Sequence, residues 1–276
     1  MQIVEAQQVR QSLREGKRVY ATAAISPSSN WPRAYQKIGG IDFVFIDSEH
    51  TPLDRGTLSW MCHAYSAMGI PPVVRIPSPD PYEACKVLDG GAAGFIAPYL
   101  ETAEQMRQLV GVARYRPLKG ARLQEALRDP SSLEPELRSY LEARNSATIF
   151  IANIESVPAI NNLDEMLAVG GVDAVLIGPH DLSCSLGIPE QYNHSRFAEA
   201  SLTIFRKARA HGCGAGLHWW QGVGDEAYWA KSGANLIMHS TDVTLVTQHL
   251  QRELNELRER LGESGSPVET GAIESV

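Results

Sequence analysis

The sequence predicts a single parallel (β/α)8 barrel, the TIM-barrel form of an α/β protein, and three observations lead there. Eight short apolar runs alternate with helix-like stretches along the 276 residues, the pattern of a parallel β/α array. In a unit of about 250 residues the commonest closed form of that array is the eight-stranded barrel. No GxGxxG or Walker loop follows any run, which disfavours an open doubly wound sheet, because such sheets usually hold their ligand on one. Several runs also stop abruptly at ionisable residues, and a barrel gathers strand ends at one mouth.

In order, Val4, Val9 and Leu13 suit an N-terminal helix closed by Glu15-Gly16, and 19–25 reads as a first strand. A helix over 33–38 precedes the second strand, Phe43 to Ile46, four apolar residues suited to burial on both faces. A helix over 53–68 stops at Gly69 and Pro71-Pro72; Val73-Val74 form the third strand, with Arg75 at its end. A helix over 81–88, a strand over 94–97 and a helix over 101–113 follow. Between 114 and 147 the chain is polar and bears prolines, and only 135–143 reads as helix. The fifth strand, 148–154, ends in Glu155; a helix over 159–169 leads to the sixth, 174–177, which ends in GPHDLSCSLG. A helix over 195–210, a strand over 214–217 ending in HWWQ, a helix over 225–231 and a strand over 235–238 ending in HSTD complete the array. The last helix, 244–261, carries a stripe of Leu245, Val246, Leu250, Leu254, Leu257 and Leu261 that must bury against the barrel or a neighbouring subunit. The barrel unit is thus expected over 1–262, with 263–276, small and polar, as a disordered tail.

Composition bounds the function. With 25 basic and 32 acidic residues, a net charge of -7 and no long basic run, nothing advertises nucleic acid or an anionic membrane, so small molecules are the expected partners. Cys62, Cys85, Cys184 and Cys213 form no CxxC pair and no Cys/His cluster, so buried thiols in a reducing compartment are expected, and thiolate-held zinc is not. No signal-peptide core and no long apolar segment occurs, and a cytoplasmic location is the reading.

The chemistry sits at the strand ends. A barrel would collect Asp47, Glu49, His50, Arg75, Glu155, His180 and Asp181 at its C-terminal mouth. A buried strand ending in Asp47, Glu49 and His50 is costly as packing, since charges near a core need partners or a use; the bland account is a loop in which Asp47 or Ser48 caps the next helix. Glu155 and Asp181, hard oxygen ligands on adjacent strands, could hold Mg²⁺ or Mn²⁺ with positions left for water or substrate, though either alone would read as a helix cap. Arg75 offers a planar fork for a carboxylate or a developing enolate oxygen, with a salt bridge to Asp47 or Glu49 as its competing role. His50 is the candidate general base, its tautomer fixed by Asp47, and Glu49 would bond water on the metal. A Schiff-base mechanism needs a lysine at a strand end, yet Lys17, Lys37, Lys86, Lys119, Lys207 and Lys231 all fall in predicted loops and helices.

FVFIDSEHTP, PPVVRIP, FIANIES and LIGPHDLSCSLG, in this order, resemble the HpcH/HpaI group of metal-dependent class II pyruvate aldolases, in the wider phosphoenolpyruvate/pyruvate superfamily. The similarity runs from about Gly16 to Leu250. It implies a barrel whose last helix is exchanged between subunits of a homohexamer. It also implies a divalent ion (Mg²⁺, Mn²⁺ or Co²⁺) on Glu155 and Asp181, chelated by the 2-oxo acid, with Arg75 stabilising the enolate and His50 with Asp47 as acid and base. Ser183, in the same signature as Asp181, is placed with the substrate. The implied reaction is carbon–carbon lysis, the reversible cleavage of a 4-hydroxy-2-oxo acid to pyruvate and an aldehyde. Three features depart from the pattern: Asn153 stands where relatives usually carry Gln, His180 interrupts GPHDLS, and His218-Trp219-Trp220 replaces a small apolar stretch. Segment 119–129 lacks a Gly-rich run, leaving Arg122 as its counterpart. His180, Trp219 and Trp220 are therefore expected to shape the acceptor pocket, with packing of both Trp under the helix layer as the competing account. Oxaloacetate decarboxylation, citrate-forming condensation and mere 2-oxo acid binding are the alternative functions.

Overall fold

The computed structural model describes residues 2–263, so most of the expected tail lies outside the described residues. Eight parallel strands close into a barrel in sequence order: β1 (Val19–Ala24), β2 (Phe43–Asp47), β3 (Pro72–Arg75), β4 (Gly94–Ala97), β5 (Ile149–Asn153), β6 (Ala174–Ile177), β7 (Gly214–Trp219) and β8 (Leu236–Thr241). Around them run α1 (Gln2–Glu15), α2 (Trp31–Ile38), α3 (Arg55–Ala67), α4 (Pro81–Asp89), α5 (Ala103–Tyr115), α6 (Gly120–Arg128), α7 (Pro135–Asn145), α8 (Val157–Ala168), α9 (Pro179–Ser185), α10 (Ser195–Ala210), α11 (Val223–Lys231) and α12 (Asp242–Arg260). No described helix is long and apolar enough to cross a membrane.

Alternation along the strands sorts the core into two compartments. Phe43, Phe45, Val73, Ile96, Ile149, Ile151, Leu176, Leu236 and Met238 fill the barrel, while Val44, Ile46, Val74, Phe95, Phe150, Val175 and Leu217 face the helices. Gly216 has a steric reason: a Cβ there would lie 1.9 Å from the Leu236 carbonyl oxygen, so any side chain would force β7 from β8. Ala6, Val9 and Leu13 of α1 join the interior cluster and close the barrel's N-terminal end.

Several local expectations need correction. Asp54, not Asp47 or Ser48, caps α3, its carboxylate accepting from the Gly56 and Thr57 N–H groups. Segment 114–147 holds α6 as well as α7, built on a small satellite core of Ala126, Leu133 and Leu141. The stretch after β6 is a short helix, α9, whose Pro179 sits in the first turn, where a missing N–H costs nothing. Cys184 is exposed, unlike buried Cys62 and Cys213. The six lysines do stay off the C-terminal strand ends.

Candidate active site

Strands β2 and β3 pair so that Asp47 stands level with Arg75, and the pair forms a fork on a fork. Arg75 Nε donates to Asp47 Oδ1 at 2.8 Å and Nη2 to Oδ2 at 2.7 Å, with Glu49 Oε2 3.1 Å from Nε. All three side chains are buried, and the guanidinium lies 5.4 Å from the centre of the Phe45 ring. Burial works against the Arg75 charge, but Asp47 and Glu49 outweigh it and hold the group above its usual value. His50, half exposed, meets Glu49 Oε2 at 3.5 Å. The expected Asp47–His50 pairing is thus corrected: the bidentate fork of Arg75 outcompetes a single ring nitrogen for Asp47, and Glu49 is the carboxylate beside His50.

A second centre lies where β5 and β6 end. Glu155 Oε1 accepts from the Tyr99 N–H at 2.8 Å, and Oε2 from Asn153 Nδ2 at 3.2 Å. Asn153 is buried, and its Oδ1 has no partner. Burial, reinforced by Asp181 and Glu49, pushes the Glu155 carboxyl up to about 7. Asp181 occupies the first turn of α9. A Cβ built on Gly178 would lie 3.0 Å from Glu155 Oε2 and 3.5 Å from Asp181 Oδ2, so the two carboxylates converge on one point kept clear by a missing side chain. Among the described residues no three His, Cys, Asp or Glu side chains gather into a ligand set; two carboxylates with water or substrate completing the shell suit a hard divalent ion. An orphaned Asn153 oxygen and adjoining like charges fit such an ion.

At this mouth Tyr99 escaped the sequence reading, and His218, noted there as a departure from the family pattern, was given no role. Tyr99 holds an unusual φ of 55° that aims its N–H at Glu155, and its hydroxyl hydrogen-bonds Glu49, which with burial raises the phenol to about 12. Nothing marks it in the sequence beyond its place after β4. His218 could have been found by parity: two positions beyond Gly216, it faces the barrel, edge-on to Phe45. Its Nε2 pairs with the Ser240 carbonyl at 3.1 Å, and burial pushes it down to about 4.

Two expected substrate residues, Trp219 and Ser183, and the segment counterpart Arg122 lie elsewhere or are otherwise engaged. Trp219 points out of the barrel, buried against Tyr192 and Trp229, as the alternation along β7 requires. Ser183 is fully buried, its hydroxyl donating to the His180 carbonyl and accepting from the Glu190 N–H. Arg122 pairs with Glu125 and Glu134. Trp220, half-buried against His218 and Tyr192, and His180, exposed beside Glu190, remain near the expected place.

Comparison with known proteins bears on the fold and the family. Residues 33–248 match the family model for HpcH/HpaI aldolase/citrate lyase. The 2-keto-3-deoxy-L-rhamnonate aldolase of Klebsiella pneumoniae is 32% identical over 233 residues, covering 83% of this chain and 85% of that one. The hydroxypyruvate/pyruvate aldolase of Roseovarius nubinhibens is 32% identical over 219 residues, 79% of this chain and 84% of that one. Among solved structures, an HpcH/HpaI aldolase from Desulfitobacterium hafniense superposes with a TM-score of 0.77 at 28% identity, covering 90% and 96% of the two chains. The citrate synthase SbnG gives 0.78 at 30% identity, covering 92% and 98%. HpcH/HpaI aldolases in general depend on a divalent metal ion. Built as a parallel barrel with these carboxylates and this arginine at its mouth, and matched over most of its length, the chain belongs to the HpcH/HpaI aldolase/citrate lyase family.

Proposed function

We propose that this protein is a class II aldolase that cleaves and forms a 4-hydroxy-2-oxo acid, with pyruvate or a close relative as donor and an aldehyde as acceptor. The observation that carries the reading is the convergence of Glu155 and Asp181 over Gly178 at the mouth that also holds Arg75 and His50. Glu155 and Asp181 would hold Mg²⁺, Mn²⁺ or Co²⁺, which supplies Lewis-acid polarisation of the donor's 2-oxo group. Tyr99 N–H and Asn153 fix the Glu155 carboxylate in place. Asp47 holds Arg75 so that its remaining N–H groups meet charge developing on the enolate oxygen, a preorganised donor at no cost of rearrangement. His50, exposed and next to Glu49, would take and return the proton. In the cleavage direction that proton is the one on the 4-hydroxyl; the C3–C4 bond then breaks to leave the enolate and the aldehyde, and His50 would deliver the proton to C3 of the enolate to give pyruvate, the same transfer that exchanges the methyl protons. His180 and Trp220 border the space left for the acceptor.

Pyruvate methyl exchange in D₂O tests this without knowledge of the acceptor. Exchange should need Mg²⁺, Mn²⁺ or Co²⁺, stop on chelation, and fall at least about 100-fold in His50→Ala and Glu155→Ala. No exchange with any of the three ions would remove pyruvate as donor. The second reading, oxaloacetate decarboxylation or a citrate-forming condensation, draws support from the likeness to citrate synthase SbnG; product analysis with oxaloacetate separates it.

A further inference from the structure

Within the aldolase reading above, on which this rests, we propose that His218 is a specificity residue whose Nδ1 accepts a hydrogen bond from a hydroxyl on C3 of the donor, so that a 3-hydroxy-2-oxo acid is taken in preference to pyruvate. The imidazole has one nitrogen engaged and one spare. Nε2 meets the Ser240 carbonyl at 3.1 Å. A carbonyl only accepts, so Nε2 carries the ring proton and Nδ1 is left with a lone pair. Ser240, which receives that bond, holds a φ of 50°, a costly backbone state for a residue with a side chain. Burial, with the Arg75 charge adding to it, pushes the ring down to about 4, so the lone pair stays free at neutral pH. Among the described residues nothing donates to Nδ1. Unlike Asn153 Oδ1 and Ser240 Oγ, it is not sealed from solvent; the side chain keeps 7% of its surface open, enough for a small ligand to reach it.

The neighbours of the ring say which substrate atom it meets. Phe45 carries the Arg75 guanidinium over its face at 5.4 Å and His218 at its edge at 5.8 Å. Trp220 stands 5.9 Å from the same imidazole. Arg75 is the group assigned to the enolate oxygen and Trp220 borders the acceptor space, so His218 stands where donor and acceptor join. The donor carbon at that junction is C3. A methyl group there leaves Nδ1 facing carbon, whereas a hydroxyl satisfies it. The small apolar stretch that His218-Trp219-Trp220 replaces offers no such acceptor.

Exchange of C3 protons in D₂O, followed for hydroxypyruvate and for pyruvate with each of Mg²⁺, Mn²⁺ and Co²⁺, tests this. In the wild type, hydroxypyruvate should inhibit pyruvate exchange with a Ki about tenfold below the pyruvate KM. In His218→Leu the ratio of kcat/KM for hydroxypyruvate to that for pyruvate should fall about 10- to 100-fold, the loss expected of one hydrogen bond in a buried site. Each ratio is taken within one preparation, so a change in the amount of folded protein cancels. His218→Asn, whose Oδ1 takes the place of Nδ1, should bring the ratio back to within about threefold of the wild type. A hydroxypyruvate Ki at or above the pyruvate KM, a ratio unchanged in His218→Leu, or an equal fall in both variants would overturn the assignment and leave the aldolase reading standing. A wild type that exchanges neither donor would remove that reading and the assignment with it.

Discussion

Gly178 and Tyr99 show how much of this site rests on single backbone positions. A methyl group on Gly178 would sit 3.0 Å from Glu155 Oε2 and 3.5 Å from Asp181 Oδ2, in the space where the two carboxylates meet. Gly178→Ala should therefore weaken Mn²⁺ binding at least about tenfold by calorimetry, with little change in melting temperature. Tyr99 acts on both centres, through its N–H on Glu155 and its hydroxyl on Glu49. Tyr99→Phe keeps the first and removes the second, so its metal affinity should stay at the wild-type level while methyl exchange slows about 10- to 100-fold, as expected of one lost hydrogen bond to a charged group. Much of this was legible: Asp47, Arg75, Glu155 and Asp181 stand out because ionisable residues ending apolar strands need a reason. Tyr99 was not, since its contribution to Glu155 is a main-chain N–H that any residue carries.

At the scale of elements, Asp173 ties the N-terminal end of the barrel together. It sits just before β6, accepts from the Phe150 N–H of β5, and pairs with arginines of α1 and α5. Burial pushes its carboxyl up, but Arg114 and Arg10 outweigh that and hold it below the usual carboxylate range. Asp173→Asn would leave those arginines without their buried counter-charge and should cost about 3–5 kcal/mol in urea unfolding. The pH dependence has a definite sign. With the folded value depressed, the wild-type advantage over Asp173→Asn is complete above the ordinary carboxylate value and disappears as pH falls through the lowered one. An advantage that instead grew on acidification would contradict the assignment. Helices α6 and α9 were missed for local reasons: α6 is a nine-residue helix inside a polar, proline-bearing stretch and buries only Ala126, and α9 opens with a proline that reads as a stop unless placed in a first turn.

At the scale of the whole molecule, α12 leaves apolar surface in solvent: Val246, Leu250, Leu254, Leu257 and Leu261 are all exposed, Leu257 by 52%. A stripe of this length calls for a covering surface, and we propose that another copy of the chain supplies it, in line with the exchange and hexamer expected from the family resemblance. Sedimentation should show a species heavier than the 30.2 kDa chain, and Leu250→Asp with Leu257→Asp should shift it toward the monomer. A wild-type monomer at micromolar concentration would rule the assembly out. Divalent ions acting through Glu155 and Asp181 should stabilise the fold by mass action, by about 2.7 kcal/mol at one hundred times Kd, and chelator should reverse it in a thermal scan.

The sequence by itself determined the strand count and the identity of the mouth, because a short apolar run that stops at ionisable residues is a local signal of where a buried strand ends. Parity also contained the outward turn of Trp219 and the inward turn of His218. What only the tertiary structure decided is who pairs with whom. Asp47 goes to Arg75 and leaves His50 to Glu49, and Glu155 meets Asp181 over Gly178. Those choices depend on barrel closure, which brings side chains from separate strands within bonding distance, and on side-chain shape, which lets a guanidinium fork take a carboxylate that an imidazole can hold by one atom.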